Sequence, residues 1–355
     1  MTIRERTEQR ERETLSPFAA KAAESRGRAH VEEPEDIRTA FQRDRDRVLH
    51  CKAFRRLKHK TQVFLDPDED HYRTRLTHTL EVAQISRTVA RALRLNEDLT
   101  EAVALAHDLG HPPFGHEGEA ALDAVLQEYV PGERFRHYEQ SLRVVDVLEK
   151  DGRGLNLTHE TRAGILGHSK GRADLAAAGD APAADGMPLE ATAVRICDRI
   201  AYVNHDIDDA VRAGLLAPDD LPRETLEMLG RTHAERITTM VRNVIETSMD
   251  QPYVAMGEPV LGATNRLKDF LFENVYTRRN TAKEELAKAG DMLQRLFRLY
   301  MDEPELIPHA RATRDMDVPL RAVVVRDYVA GMTDRYAAEQ FLRHFFPRNW
   351  VGPVL

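Results

Sequence analysis

The sequence has few of the features that mark a secreted, membrane-bound or disulfide-stabilised protein. It contains two cysteines in 355 residues, Cys51 and Cys197, too far apart to indicate a disulfide framework or a thiolate zinc site. No apolar run approaches the roughly 18 residues of a membrane span, and the N-terminal segment MTIRERTEQRERE lacks the apolar region of a signal peptide. We therefore expect a cytoplasmic protein that does not enter a membrane.

Two other absences limit the kind of ligand site. Neither a Walker-type glycine loop nor a GxGxxG segment is present, so the sequence does not support phosphate binding by a glycine-rich backbone. The 51 Lys and Arg residues are outnumbered by 59 Asp and Glu residues, which gives a formal net charge of −8. That balance does not favour a general nucleic-acid-binding protein, and any site for an anion must be local.

The apolar residues indicate helices. Hydrophobic residues make up 42% of the chain, enough for the core of one large domain or of two ordinary ones. They recur at helical spacing from Phe41 onward, and strand-like alternation is nearly absent. Gly110 and the two prolines after it end one predicted helix at Leu109, and the next begins near Glu117. The sequence therefore predicts an all-α fold.

Three regions are predicted along the chain. Residues 1–40 form an N-terminal arm that begins with a dense mixture of Arg and Glu, typical of a solvated helix. Residues 41–215 form the core, interrupted at about 172–188 by a segment rich in Ala, Gly, Pro and Asp that is typical of a mobile surface loop. Residues 216–355 form a C-terminal region of amphipathic helices.

Several His and Asp residues are candidates for a metal site. Phosphate chemistry at a metal needs imidazole and carboxylate ligands with an open coordination position. His107 and Asp108 end an otherwise apolar helix, where an unpaired carboxylate would cost stability. His78 lies on the apolar face of another helix and, taken alone, is more often a structural histidine than a ligand. The strongest of these candidates is Asp108.

A later helix carries a second group of polar residues. Asp198, Tyr202 and Asp206 stand at i, i+4 and i+8 and therefore share one helix face. A solvated acidic stripe and the wall of a pocket both explain this spacing. The tyrosine between the two carboxylates, next to apolar Ile200 and Val203, favours the pocket.

The segment AHDLGHPPFGHEGE, residues 106–119, places three histidines within ten residues around a turn. His116 and Glu119 stand at i, i+3, so the carboxylate can orient the imidazole as a catalytic acid or base requires. His111 points in from the turn between them and His107. A polar helix cap is the alternative for His116, but three neighbouring histidines favour catalysis.

Cationic and amide side chains suited to a nucleotide lie close in sequence. Arg75 precedes His78 by three residues on the same helix face, and Arg199 directly follows Asp198, so both can contact phosphate. Gln62, within the basic segment FRRLKHKTQVF, can read a base edge through its amide. A solvated cationic face is an equally good explanation for the basic residues of that segment.

The order His78, His107-Asp108, Asp198 resembles the H…HD…D signature of the HD phosphohydrolase superfamily. Longer segments narrow the resemblance to the deoxyguanosinetriphosphate triphosphohydrolase-like family: FRRLKHKTQVF, RLTHTLEVAQI, HDLGHPPFGHEGE, HYEQSLRVV and CDRIAYVNHDIDDA, which together span residues 54–209. LKDFLFENVY adds a weaker similarity. The resemblance implies an HD-domain helical bundle with additional C-terminal helices, in which residues 41–215 are the catalytic core. The implied activity cleaves a deoxynucleoside triphosphate at the α-phosphorus, giving deoxynucleoside and tripolyphosphate.

The resemblance also implies roles for individual residues. One divalent ion, with Mn, Mg, Co, Fe and Ni all chemically admissible, would be held by His78, His107, Asp108 and Asp198. The implied catalytic residues are His116 with Glu119, and His111; the implied substrate contacts are Arg75 and Arg199 to phosphate, Gln62 beside sugar and base, and Tyr202 with Asp206 around the deoxyribose and its 3′-OH. Where relatives place a histidine before EQ, this chain has Tyr138, with His137 one position earlier, which leaves a third catalytic histidine open.

Two other functions stay open at this point. One is a different HD activity, such as a nucleotide phosphatase or phosphodiesterase on another nucleotide. The other is a non-catalytic, nucleotide-sensing or single-stranded nucleic-acid-binding oligomer with a vestigial site. The four intact ligand positions and the expected 3′-OH pair favour the triphosphohydrolase. The resemblance further implies a homo-oligomer, a tetramer or hexamer.

Overall fold

The computed structural model describes residues 1–62, 73–168, 175, 187–276, 281–308 and 315–347. Within these ranges the chain is built from α-helices with short 3-10 and π turns, and only isolated β-bridges occur, between Arg28 and Thr158 and between Thr61 and Thr74. The prediction of an all-α fold is confirmed. No helix in the described part of the chain is both long enough and apolar enough to cross a membrane.

The helices are numbered in chain order. The N-terminal half contains α1 (Ile3–Thr14), α2 (Ala40–Leu49), α3 (Lys52–Arg56), α4 (Arg75–Ala92), α5 (Glu97–Ala106), α6 (Gly115–Tyr129), α7 (His137–Arg143) and α8 (His159–Gly167). The C-terminal half contains α9 (Leu189–Arg212), α10 (Arg223–Leu229), α11 (His233–Ser248), α12 (Val260–Leu271), α13 (Thr281–Asp302), α14 (Val318–Ala330) and α15 (Asp334–Phe345). Most of the segment predicted to be a mobile loop, about 172–188, lies outside the described residues.

Buried apolar side chains form two clusters. The first joins α2 to α5 with α8 to α12 and includes Phe41, Leu99 and Ile200. The second joins α6 with α13 to α15 and includes Leu126 and Phe297. Because α6 packs in the second cluster although α5 packs in the first, the turn between them lies where the two clusters meet. The predicted division of the chain at residue 215 stays a prediction.

Helix α5 runs through the middle of the first cluster. Asn96 caps its N-terminus, because the side-chain oxygen accepts hydrogen bonds from the backbone amides of Asp98 and Leu99, each at 3.1 Å. The helices α2, α4, α8 and α9 all pack against it. A helix that is surrounded in this way needs no polar face, which explains its nearly continuous run of Ala, Val and Leu.

Buried carboxylates hold the N-terminal arm together and join it to the core. Glu11 of α1, expected from the sequence to be solvated, is buried and accepts a hydrogen bond from the Ala22 amide at 2.7 Å. Glu190 at the start of α9 accepts from the amides of Ala20 and Asn96 at 3.0 and 2.9 Å. The chain turns back over these carboxylates, so their oxygens satisfy backbone amides that the fold removes from water.

The turn between α5 and α6 depends on close packing with α7. A Cβ atom on Gly110 would lie 2.1 Å from the Ser141 backbone nitrogen, so only glycine allows this approach. The Ser141 hydroxyl donates to the His107 carbonyl at 2.7 Å and accepts from the Gly110 amide at 2.8 Å. These bonds replace helical ones, and α5 therefore ends at Ala106 rather than at Leu109 as predicted. Helix α6 begins at Gly115, which has a φ of +59°.

The C-terminal helices hold the same turn from the other side. The half-buried Asp334 carboxylate at the start of α15 accepts from the Phe114 amide at 3.1 Å and from the Thr61 amide at 2.8 Å. Lys60 Nζ donates to the carbonyls of Ala330, at 2.9 Å, and His111. Burial lowers the pKa of Lys60 to about 7. We call these contacts the Asp334–Lys60 clamp.

We expect Asp334→Ala to lower the free energy of unfolding by about 1–2 kcal/mol, because two backbone amides lose their acceptor. Urea unfolding followed by circular dichroism measures the change. Glu339→Ala is the control on the same helix, since in the described part of the chain its exposed carboxylate pairs with Arg335 alone, which is also exposed, at 2.9 Å. An Asp334→Ala midpoint equal to that of the control would show that the clamp does not stabilise the protein.

Candidate active site

Four predicted ligand side chains converge from α4, the end of α5, and α9. Ligand atoms of His78, His107 and Asp108 lie within 4.8 Å of one another, and all three side chains are buried. Asp198 Oδ1 lies 3.1 Å from His78 Nε2 and 3.8 Å from His107 Nε2. Two imidazoles and two carboxylates are a donor set suited to a divalent ion. The described residues therefore include a cluster that could hold a metal.

The hydrogen bonds of His107 leave one ring nitrogen available as a ligand. Its Nδ1 lies 2.7 Å from the carbonyl oxygen of Ala104, and since a carbonyl can only accept, Nδ1 carries the proton. Its Nε2 is buried and has no hydrogen-bond partner among the described residues. A backbone carbonyl that orients a ligand imidazole in this way is common at metal sites. The ring is thus in the tautomer that a metal requires.

Asp108 is ionised despite its burial. Arg75 Nη1 donates to Asp108 Oδ2 at 2.7 Å, and both side chains are buried. The Nε2 atoms of His107 and His111 each lie 3.3 Å from Asp108 Oδ1. Burial alone would raise the pKa of the Asp108 carboxyl, but the positive charge of Arg75 and the hydrogen bond from His111 outweigh it and hold that pKa well below its usual range. Because Arg75 pairs with Asp108, the loss of stability expected of an unpaired carboxylate at this position does not arise.

Beside the metal cluster lies a second group of polar side chains, which we call the histidine–glutamate cluster: His111, His116, Glu119 and His137. The rings of His111 and His137 stack with centroids 4.0 Å apart. Glu119 accepts from His137 Nδ1 at 2.9 Å and from the His137 amide at 2.8 Å. Burial would raise the pKa of Glu119, but its hydrogen bonds with His116 and His137 lower it below its usual range.

His116 is the accessible member of the histidine–glutamate cluster. Its side chain is 78% exposed, and its Nδ1 lies 3.5 Å from Glu119 Oε2. The contact between Glu119 and His137 is closer, so Glu119 fixes His137 more firmly than it fixes His116. His116 is free to turn toward a bound molecule, whereas His137 is not.

His137, left open at the sequence level, lies in this site. Helix α7 starts at His137, which is one turn before Ser141, the residue packed on the turn after α5. The i, i+4 spacing of His137 and Ser141 puts both on one helix face. This spacing is visible in the sequence and could have indicated that His137 lies near the turn. Two further histidines were not considered from the sequence: the His205 ring lies 5.7 Å from His78, and the His168 ring lies 5.1 Å from His107.

Two of the expected substrate contacts lie beside the start of α6. A Cβ atom on Gly115 would lie 3.0 Å from the Gln62 carbonyl oxygen and 3.2 Å from Arg75 Nη2. Nε and Nη2 of Arg75, and Oε1 of Gln62, are buried and have no hydrogen-bond partner in the described part of the chain. Arg75 therefore combines a structural bond to Asp108 with donors that remain available.

The remaining expected contacts lie along α9. The Arg199 guanidinium stands 5.4 Å from the centroid of the Tyr202 ring, in cation–π range. Asp206 is buried one turn further on. Burial, reinforced by Asp209, raises the pKa of Asp206 well above its usual range. A protonated carboxyl can donate a hydrogen bond as well as accept one.

The fold and the site together define an HD-domain protein: residues 75–203 match the HD domain model and contain all four predicted ligands, and residues 254–343 match the phosphohydrolase-associated domain. The chain is 53% identical to a deoxyguanosinetriphosphate triphosphohydrolase-like protein of Caldanaerobacter subterraneus subsp. tengcongensis, over 99% of this chain and 98% of the relative. It is 48% identical to a protein of the same description from Desulfatibacillum aliphaticivorans, over 99% of this chain and 100% of the relative. One from Clostridium perfringens is 44% identical over 98% of this chain and 99% of its own. The chain belongs to the deoxyguanosinetriphosphate triphosphohydrolase-like family, which confirms the resemblance and the assignment to the HD hydrolases.

We expect Asp108→Asn to lower the free energy of unfolding of the metal-free protein by about 3–5 kcal/mol, because the Arg75 guanidinium would stay buried without a counter-charge. Urea unfolding measures the loss. His116→Asn, in the same site but exposed, is the control and should leave the midpoint unchanged. The double variant Asp108→Asn with Arg75→Met should recover most of the loss; no recovery would argue against the buried ion pair as its cause.

Proposed function

We propose that this protein hydrolyses deoxynucleoside triphosphates at the α-phosphorus, releasing deoxynucleoside and tripolyphosphate. The observation that carries the proposal is the contact between the His78–His107–Asp108–Asp198 ligand set and the histidine–glutamate cluster, joined by Asp108 and His111, whose facing atoms are 3.3 Å apart. A metal-binding set next to acid–base groups is the arrangement that metal-assisted phosphoester hydrolysis needs. The names of the relatives point to the same activity.

The ligand set would hold one divalent ion, of Mn, Mg, Co, Fe or Ni. The unpartnered Nε2 of His107 and the ionised carboxylate of Asp108 fit such an ion. When bound, the ion would polarise a phosphate oxygen and make a coordinated water more acidic. The chain's own contribution is to keep the two carboxylates ionised and the imidazole of His107 oriented.

The histidine–glutamate cluster would move protons. His116, exposed beside Glu119, would protonate the departing ester oxygen or take the proton of the attacking water. Glu119 holds the imidazole of His137 in place and lies within reach of that of His116. His111 stacks on His137 and links the cluster to Asp108.

Substrate groups would bind on both sides of the ligand set. Arg75 and Arg199 would neutralise charge on the phosphates, and Gln62 would lie beside the sugar and base. Tyr202 and Asp206 would pack against the deoxyribose and bind its 3′-OH, which leaves little room for a 2′-OH. The raised pKa of Asp206 suits this role, because its protonated carboxyl can donate to the hydroxyl oxygen.

We expect separate incubations with the four dNTPs and Mn²⁺ or Mg²⁺ to release tripolyphosphate and deoxynucleoside from dGTP or from several of them, and GTP to be hydrolysed much more slowly. Mass spectrometry of the products makes the measurement. Orthophosphate as the product would instead indicate a nucleotide phosphatase. Metal binding without hydrolysis of any of these nucleotides would indicate a non-catalytic binding protein. Assembly into a tetramer or hexamer stays a prediction.

We expect His116→Ala to reduce kcat by about 10²–10⁴-fold through the loss of acid–base catalysis, while bound metal per chain stays unchanged. Steady-state kinetics and elemental analysis of the purified variant test this. His50→Ala, an exposed histidine at the end of α2, is the matched control and should keep wild-type kcat. Full activity of His116→Ala would remove His116 from the proposed mechanism.

A further inference from the structure

His168 is a buried histidine to which none of the roles above has been assigned. It follows α8 directly, its side chain is 2% exposed, and its ring centroid lies 5.1 Å from that of His107 and 5.4 Å from that of His137. It therefore stands between a metal-ligand residue and the histidine–glutamate cluster.

The hydrogen bonding of His168 leaves a lone pair unused. Its Nδ1 donates to the Ile165 carbonyl at 2.6 Å, which fixes the proton on that nitrogen. Its Nε2 is then an acceptor, and it is buried without a hydrogen-bond partner among the described residues. A buried acceptor without a donor is costly, so folded proteins normally supply one.

His168 repeats the arrangement of His107. Each histidine directly follows its helix, and each Nδ1 donates to the carbonyl three residues earlier. Each also has a buried, unpartnered Nε2. Four residues before each histidine the two helices cross closely: a Cβ atom on Gly164 would lie 2.5 Å from Val103 Cγ2. The matched register brings the two helix ends, and hence the two imidazoles, into one site.

The two histidines differ in their relation to the metal ligands. In the described ranges, ligand atoms within 4.8 Å of one another occur in the groups His78–His107–Asp108 and Asp108–His111–His137, and His168 belongs to neither. The Nε2 lone pair of His168 is therefore suited to accepting a hydrogen bond within the site rather than to binding the ion. Water is the donor small enough to bind between buried imidazoles.

We propose that His168 is a positioning residue whose Nε2 accepts a hydrogen bond from a water molecule held between His107 and His137. The proposal rests on the proposed function in one respect: this water is the one that attacks the α-phosphorus. By accepting a hydrogen bond from one of its O–H groups, His168 directs the oxygen lone pair toward the substrate. The attack forms the new P–O bond and breaks the bond to the deoxynucleoside oxygen; the water gives up a proton and the departing oxygen gains one by way of His116, so His168 itself gains no proton.

Two substitutions distinguish the hydrogen-bonding functions of the two ring nitrogens of His168. His168→Asn keeps a donor near the Nδ1 position for the Ile165 carbonyl but has no acceptor at the Nε2 position. His168→Gln extends its amide oxygen to the Nε2 position. Leu166→Ala, a 43% exposed residue of the same helix, is the control for changes in α8.

Crystal structures of the wild-type and His168→Asn proteins test the water directly. We expect an ordered water within about 3.2 Å of Nε2 in the wild type and none at that position in the variant. A protein donor on Nε2, or no ordered water there, overturns the proposal. This result does not depend on nucleotide hydrolysis, so it decides the role of His168 even if the wild type cleaves no dNTP and the proposed function fails.

Kinetics and Mn²⁺ titration test the consequence. We expect His168→Asn to lower kcat by about 10- to 100-fold, because the attacking water would lose its orientation, with KM within about twofold. His168→Gln should recover most of that loss, and Mn²⁺ affinity, measured by calorimetry without nucleotide, should change less than about threefold in both variants. Equal kcat losses in the two variants, an unchanged kcat in His168→Asn, or a parallel loss of Mn²⁺ binding overturns the proposal.

Discussion

The buried carboxylate of Asp108 is the constraint around which the site is built. Removed from water, it needs positive charge and hydrogen-bond donors, and Arg75 supplies both through a 2.7 Å bond from α4. Its other oxygen faces His107 and His111, 3.3 Å from each. One side chain thereby connects α4, the turn after α5, and both groups of histidines. The same electrostatic balance that keeps the carboxylate charged also suits it to binding a metal ion.

The turn from His107 to Gly115, which contains Asp108, lies where the two apolar clusters meet. The four candidate ligands belong to helices of the first cluster, whereas His116 and Glu119 lie on α6, which packs in the second. The packing of Ser141 against Gly110 and the Asp334–Lys60 clamp fix the turn from opposite sides. The distance between the four candidate ligands and the histidine–glutamate cluster is thus set by how the C-terminal helices pack on the core.

The histidines of the site owe their different roles to their surroundings. His107 and His168 are oriented by carbonyls of their own helices, which leaves Nε2 of each as an acceptor. His137 is fixed by Glu119, and His116 remains exposed beside the same carboxylate. One residue type therefore supplies a candidate metal ligand, an oriented acceptor, a fixed hydrogen-bond donor and an exposed imidazole, because burial and partner differ at each position.

The helices and the candidate residues of the site could be predicted from the sequence, because both leave local signals: a 3.6-residue apolar period, helix-stopping glycine and prolines, and clustered His and Asp residues joined by i, i+3 and i+4 spacing. His78, His107, Asp108 and Asp198 could be chosen on those grounds and by family resemblance. Three facts are evident only in the folded chain: Arg75 pairs with Asp108, α6 packs with the C-terminal helices, and His137 and His168 lie beside the candidate ligands. Those facts depend on contacts between segments far apart in the chain, and burial and hydrogen-bond partners across such distances leave no periodic trace in the sequence.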